Sequence, residues 1–262
     1  MAARGRPGRV TVLKISGLVS SALLALTLIC GAGQAFAAQP FVSYEEVAFR
    51  PGIAFPKWQA IQQRLDAEAQ IVEHCLAGTE CQSPAAADIA DHLRELVALR
   101  SLDQAEAVQR LVNARPYVED RRQFGVGDLW QTPLDFWANG GDCEDYAIAK
   151  YLALRVLGFS DAQLRLTILT RRSDHEVHAV LLVAVGADWY AADNLRRGLR
   201  RLDGYDGWKP EFSVSDAGFW RYVARPAAVE QVAAAGSTRL PEPAADSARS
   251  SAPSAATLRA RL

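Results

Sequence analysis

Apolar positions recur at helical spacing through the first half of the chain and at strand spacing through the second. Trp58, Ile61, Leu65 and Ile71-Val72 fall near one face and predict a helix over 57–76, with Pro56 at its entrance. Ile89, Leu93, Leu96 and Val97 predict a second helix over 85–99. Ala105, Val108, Leu111 and Val112 predict a third over 103–114, stopped by Pro116. Short connections between them predict an antiparallel helical layer. The stretch before them, 40–56, has mixed polarity and reads as an extended lead-in. Residues 117–140 form an irregular approach rich in aromatics (Tyr117, Phe124, Trp130, Phe136, Trp137), for which packing beneath the next helix is favoured over lining a cleft. That next helix begins at Asn139-Gly140-Gly141-Asp142-Cys143-Glu144-Asp145-Tyr146. Ala147, Ile148, Tyr151, Leu152, Leu154 and Leu157 give it a broad buried face, and Gly158 stands where a helix-ending glycine is expected.

Beyond Gly158 the period shortens. Leu164 to Thr170 alternates and is rich in β-branched residues, and Val177 to Val185 is apolar apart from His178, as a strand covered on both faces would be. Trp189 to Asp193 follows a Gly186-Ala187-Asp188 turn and predicts a hairpin. Phe219 to Ala224 predicts an edge strand after a Gly/Asp-rich loop over 202–218. Helices followed by an antiparallel sheet make an α+β domain.

Both ends of the chain read differently. Arg4, Arg6, Arg9 and Lys14, then the apolar run Ile15–Leu28, then Ala35-Phe36-Ala37, have the order of a cleaved secretory signal over 1–37. A permanent membrane anchor is the alternative, disfavoured because the apolar run is shorter than the roughly 18–20 residues of a span. Residues 226–262 are rich in Ala, Pro and Ser and predict a disordered tail, leaving 38–225 as the folded domain of the 262-residue chain. Removing the four basic residues of the leader from the 29 leaves 25 against 30 acidic groups, formally −5. That balance excludes a nucleic-acid partner as the leading reading, and the pairs Arg171-Arg172, Arg196-Arg197 and Arg200-Arg201 read as solvated loop edges.

Without the leader, three cysteines remain. In an exported protein that count predicts one disulfide and one free thiol: Cys75 and Cys81 can bridge across the Gly78-Thr79 turn, and Cys143 is left over. Cys143 falls in the first turn of its helix, where unpaired N–H groups and the dipole favour a thiolate. A nucleophile needs a base and the base an orienting group. His74 and His92 lie on amphipathic helices and read as structural, and His175 sits in a polar turn. His178 heads the apolar strand. If the 177–185 and 189–193 strands form a tight hairpin, His178 and Asp193 share a face within about one residue pair of each other, giving Cys143, His178 and Asp193 the roles of nucleophile, base and orienter. A zinc reading of His175-Glu176-Val177-His178 fails because it lacks the i,i+4 histidine pair. The Cys143 backbone N–H would serve an oxyanion hole, with Trp130 or Gln131 as candidate second donors. Asp142 and Asp145 suit the two arms of a capping box.

Gly141-Asp142-Cys143-Glu144-Asp145-Tyr146-Ala147, His178-Ala179-Val180 and Asp193-Asn194 together resemble the bacterial transglutaminase-like cysteine proteinases, in particular the periplasmic LapG type, over roughly 58–225. The resemblance implies a papain/transglutaminase-like fold, an N-terminal helical lobe on an antiparallel sheet, with Cys143, His178 and Asp193 as the triad. It implies cleavage of a large surface adhesin near its N-terminus, with release of biofilm, and restraint by an inner-membrane cyclic-di-GMP receptor. It also implies dependence on Ca²⁺ held by Asp142 and Glu144, with Asp145 a further candidate; hard carboxylate oxygens suit that ion. Transglutaminase-type acyl transfer and a non-catalytic periplasmic binding protein are the competing readings of the same fold.

Overall fold

The computed structural model describes residues 39–49 and 55–226. The leader at 1–37 and all but the first residue of the tail at 226–262 lie outside the described residues.

Among the described residues, five helices surround or precede a central sixth. The first, α1 (Pro56–Leu76), buries Trp58, Ile61, Leu65 and Val72 of the face its spacing predicts and leaves Ile71 exposed. Next, α2 (Pro84–Arg94) is capped by Ser83, whose hydroxyl accepts the Ala86 N–H, and α3 (Ser101–Asn113) buries Val108 and Val112. The second helix stops well short of residue 99: Leu96 N–H and Leu99 N–H turn back to carbonyls three residues earlier, and Val97 is left exposed. Two short helices, α4 (Asp120–Gln123) and α5 (Pro133–Asn139), occupy the stretch expected to be irregular. Their lengths are too small for a periodic signal. Of the aromatics there, Phe136 and Trp137 are buried and Phe136 packs edge-on to Tyr146, whereas Tyr117 and Phe124 are exposed.

The sixth helix, α6 (Cys143–Val156), is buried continuously from Glu144 to Leu154. It packs against α1, α3 and α5 on one side and the sheet on the other. Fully covered residues such as Ile148, Leu152 and Leu154 are each worth about 1.5–3 kcal/mol of apolar burial. Gly158 follows its end with φ +96°, the left-handed conformation that glycine adopts without a Cβ penalty.

The antiparallel sheet comprises β1 (Tyr44–Phe49), β2 (Leu164–Arg171), β3 (Val177–Val185), β4 (Asp188–Ala192), β5 (Arg200–Arg201), β6 (Trp208–Ser215) and β7 (Gly218–Ala224), in the order β1-β7-β6-β2-β3-β4-β5. Three parts depart from the sequence expectation. Arg200-Arg201, expected as a loop edge, is the exposed strand β5, which pairs with β4. The 202–218 loop contains β6, which pairs with the central β2. Its Lys209-Pro210-Glu211 stretch hides it, and Pro210 is accommodated where the β2–β6 register slips between Ile168 and Leu169. The lead-in contains β1, which pairs with β7, so β7 is an inner strand. Apolar side chains of one sheet face join the helices in the main core. On the other face a second cluster joins Leu169 of β2 and Val180 and Leu182 of β3 to Tyr205 in the loop before β6 and Trp208 at the start of β6. Cys75 and Cys81 form a disulfide with Cα atoms 5.0 Å apart, and Cys143 is free. No helix among the described residues is long and apolar enough to cross a membrane.

Candidate active site

The backbone before α6 is shaped by close approach. Gly140 has φ +75°, and a Cβ there would run into the Pro116 carbonyl. A Cβ on Gly141 would stand 2.6 Å from Gln131 Nε2 and against Asp145 Oδ2. Both positions therefore require glycine. Val118 N–H donates to the Gly141 carbonyl at 2.9 Å, tying this turn to the chain ahead of α4.

Behind the turn, Asp145 is fully buried. Its Oδ1 accepts the Gln131 backbone N–H at 2.8 Å. Its Oδ2 accepts Gln131 Nε2 at 2.8 Å and the Asp142 N–H at 3.1 Å, the return arm of the expected capping box. Burial outweighs these donors and pushes the Asp145 carboxyl up to about 7. Gln131 also donates to the Gly140 carbonyl at 3.1 Å. Its side chain and backbone N–H are thus committed to shaping the turn, although sequence reasoning offered it as an oxyanion donor. Trp130, the other candidate, packs on Phe55 with ring centroids 5.3 Å apart.

Cys143 opens α6. Its thiol donates to Glu144 Oε2 at 3.2 Å and meets the backbone N–H of Ala179, the residue after His178. Burial pushes the thiol well above its ordinary value, and the Glu144 and Asp142 carboxyls add to that.

His178 stands near the head of β3, buried, with its ring stacked on Trp208 at 5.0 Å between centroids. Its Nε2 bonds to Asp193 Oδ1 at 2.8 Å. The hairpin register places Leu181 opposite Ala192, so Asp193 and His178 share a face as the alternation predicts. Asp193 is fully buried and also accepts the Leu195 N–H at 2.9 Å and the Tyr205 hydroxyl at 2.9 Å. Burial opposes its charge, but His178, Leu195 and Tyr205 outweigh that and hold the carboxyl below 3.8. From α3, Gln109 Nε2 reaches the Asp193 and Arg196 carbonyls at 2.7 and 2.9 Å, with Asn113 on the same pair. The turn after β4 is clamped by a helix distant in sequence. His74, His92 and His175 are all exposed, and His175 sits in the β2–β3 turn with φ +63°.

A cluster of acids surrounds the thiol. Ligand-capable atoms of Asp142, Cys143 and Glu144 lie within 4.8 Å of one another, and the same holds for Asp120, Asp142 and Asp145 and for Asp120, Asp128 and Glu144. Asp120 and Asp128 carry no periodic signal and were missed from sequence; the Gly-rich turn around Asp128 folds them back onto α6. Buried Asp120 Oδ1 and Asp142 Oδ1 have no hydrogen-bond partner. Burial, with the hydrogen bond and charge of Asp142, pushes Glu144 up to about 9. Unpartnered oxygens and an excess of buried negative charge fit a hard divalent cation.

The model of one protein family, the bacterial transglutaminase-like cysteine proteinases, matches residues 65–226. The chain belongs to that family. Among solved structures, this proteinase is similar to Legionella pneumophila LapG in its EGTA-treated form, at 24% identity and a TM-score of 0.50, covering 60% of this chain and 87% of that one. Calcium-bound LapG from the same organism gives 24% identity and a TM-score of 0.48, covering 61% and 86%. At that identity the likeness to the EGTA-treated form is one of fold. A search of curated proteins finds no match.

Proposed function

We propose that this family member is a calcium-dependent cysteine endopeptidase with Cys143 as nucleophile, His178 as general base and acid, and Asp193 as the group that orients His178. The observation that carries the reading is the buried His178–Asp193 hydrogen bond at the head of β3, where the thiol of α6 meets the adjacent Ala179 N–H. Because Asp193 engages Nε2, Nδ1 is the nitrogen that takes the Cys143 proton. The thiolate attacks the scissile carbonyl carbon. The resulting oxyanion faces the Cys143 N–H at the helix N-terminus, and His178 returns the proton to the leaving amine. Water, deprotonated by His178, then hydrolyses the thioester.

Asp120, Asp128, Asp142 and Glu144 would hold calcium, with Asp145 behind them fixing the cap of α6. Bound there, the ion would offset the negative charge that these acids place beside the thiol. Glu144 would then release the Cys143 S–H to His178.

The leader at 1–37 would export the chain to the periplasm, where the 38–225 domain cleaves a large adhesin near its N-terminus and so releases biofilm. An inner-membrane cyclic-di-GMP receptor restrains it. Support for these partners is the sequence resemblance. The test is to mix the protein with the N-terminal region of a large adhesin from the same genome. Calcium should permit cleavage, EGTA should stop it and added calcium restore it, and Cys143→Ala should abolish it in a folded protein. Cleavage by Cys143→Ala, or indifference to EGTA, would refute the corresponding half. Incorporation of an amine in place of fragment release would point to acyl transfer instead.

A further inference from the structure

Among the described residues, one of the buried charged side chains without a place in that mechanism is Lys150. Lys150 lies two turns along α6 from Cys143 and is fully buried. Its Nζ donates to the Ala192 carbonyl at 3.1 Å, at the end of β4. The next residue is Asp193, whose own carbonyl is held by Gln109 and Asn113. Two helices therefore fix the end of this strand, and α6 does so with the only charged side chain among these three.

Burying an ammonium costs several kcal/mol unless an opposite charge compensates it. The hydrogen bond alone does not call for a charge, since the Ala192 carbonyl is neutral and an amide would serve it. The charge that bears on Lys150 is that of Asp193, the residue after its Ala192 acceptor; Tyr146, on the same helix, places its ring 5.9 Å from Nζ, and α3 brings the neutral Gln109 and Asn113.

We infer that Lys150 is a positioning residue for the acid–base pair: it ties the nucleophile helix to the strand end that carries Asp193, and its charge steadies the Asp193 carboxylate behind His178. The inference rests on the endopeptidase reading above for its effect on turnover, but not for its effect on His178. Burial draws the ammonium down to about 7 while Asp193 opposes that, so the contact is placed to weaken as pH rises past neutrality. A positive charge close to Asp193 also opposes formation of imidazolium at His178. Its removal should raise the pKa of His178.

The test uses Lys150→Met, which keeps the volume and removes the charge, and Lys150→Gln, which keeps a donor without charge. The His178 pKa is followed by NMR of histidine-labelled protein. We expect it to rise by about half a pH unit or more in both variants, while kcat falls and KM holds. An unmoved His178 pKa overturns the inference, as does wild-type behaviour in Lys150→Gln, which would reduce Lys150 to a hydrogen-bond donor. If the variants do not fold, the Lys150 Nζ resonance is titrated in the otherwise intact protein and in Asp193→Asn. A lower Lys150 pKa in Asp193→Asn supports the charge pairing, and an unchanged one overturns it. A failure of the endopeptidase reading would appear separately, as a missing cleavage alongside a shifted His178.

Discussion

Replacing Asp193 by Asn removes one charge and almost no volume from a buried position that three donors converge on. The carboxylate accepts from His178 Nε2 at 2.8 Å, from the Leu195 N–H at 2.9 Å and from the Tyr205 hydroxyl at 2.9 Å, and it is fully buried. Hydrogen bonds to a charged acceptor are worth about 1.5–3 kcal/mol each. An asparagine Oδ1 can keep one or two of them in weaker form, while its Nδ2 confronts a donor. A net loss of about 2–4 kcal/mol in stability follows, read by urea denaturation at pH 7. The loss has a pH signature. Asp193 titrates below its ordinary 3.8 in the fold, so its stabilisation is complete above that value and disappears as pH falls through the native one. The gap between wild type and variant should therefore be full at neutral pH and close in acid. Activity should fall by about 10³–10⁴-fold, because an amide also permits the wrong imidazole tautomer. A variant within tenfold of wild-type kcat/KM, or a stability gap that persists unchanged in strong acid, would refute this reasoning.

Asp120→Asn should weaken calcium binding by about tenfold or more, read by titration calorimetry, with Asp128→Asn milder because its side chain is exposed. Gly141→Ala should cost about 1–3 kcal/mol and most of the activity, since the new methyl group displaces Gln131 and Asp145 from the capping network; a thermal melt and a cleavage assay check both. Opening the Cys75–Cys81 disulfide by a double Ser substitution should lower stability by about 2 kcal/mol for so short a loop, with kcat unchanged because the bridge joins the end of α1 to the approach to α2.

Much of this molecule was legible because its chemistry sits on long, strongly patterned elements. The face of α1, the buried run of α6 and the apolar β3 follow from spacing alone. Its place after two glycines and an N-cap marks Cys143 as the candidate nucleophile, and being polar in an apolar strand marks His178 as the candidate base. Strand alternation put Asp193 on the same face, and the register of β3 with β4 agrees. The cysteine count gave the disulfide.

What only the tertiary structure decided depends on contacts between segments far apart in the chain. The strand β6 reads as a loop because Pro210 and its charged neighbours break the pattern, and it becomes a strand because β2 supplies partners on one side and β7 on the other. Asp120 and Asp128 look like any acids in a polar turn until that turn folds over the start of α6, and Gln131 is recognisable as the buried support of Asp145 only in place. Lys150 sits in a helical run where a lysine normally faces water, and its burial against Ala192 is invisible from its neighbours. Local sequence determines which backbone conformations and which faces are favoured. Where a charge ends up, and what opposes it there, is set by whatever the rest of the chain packs against it.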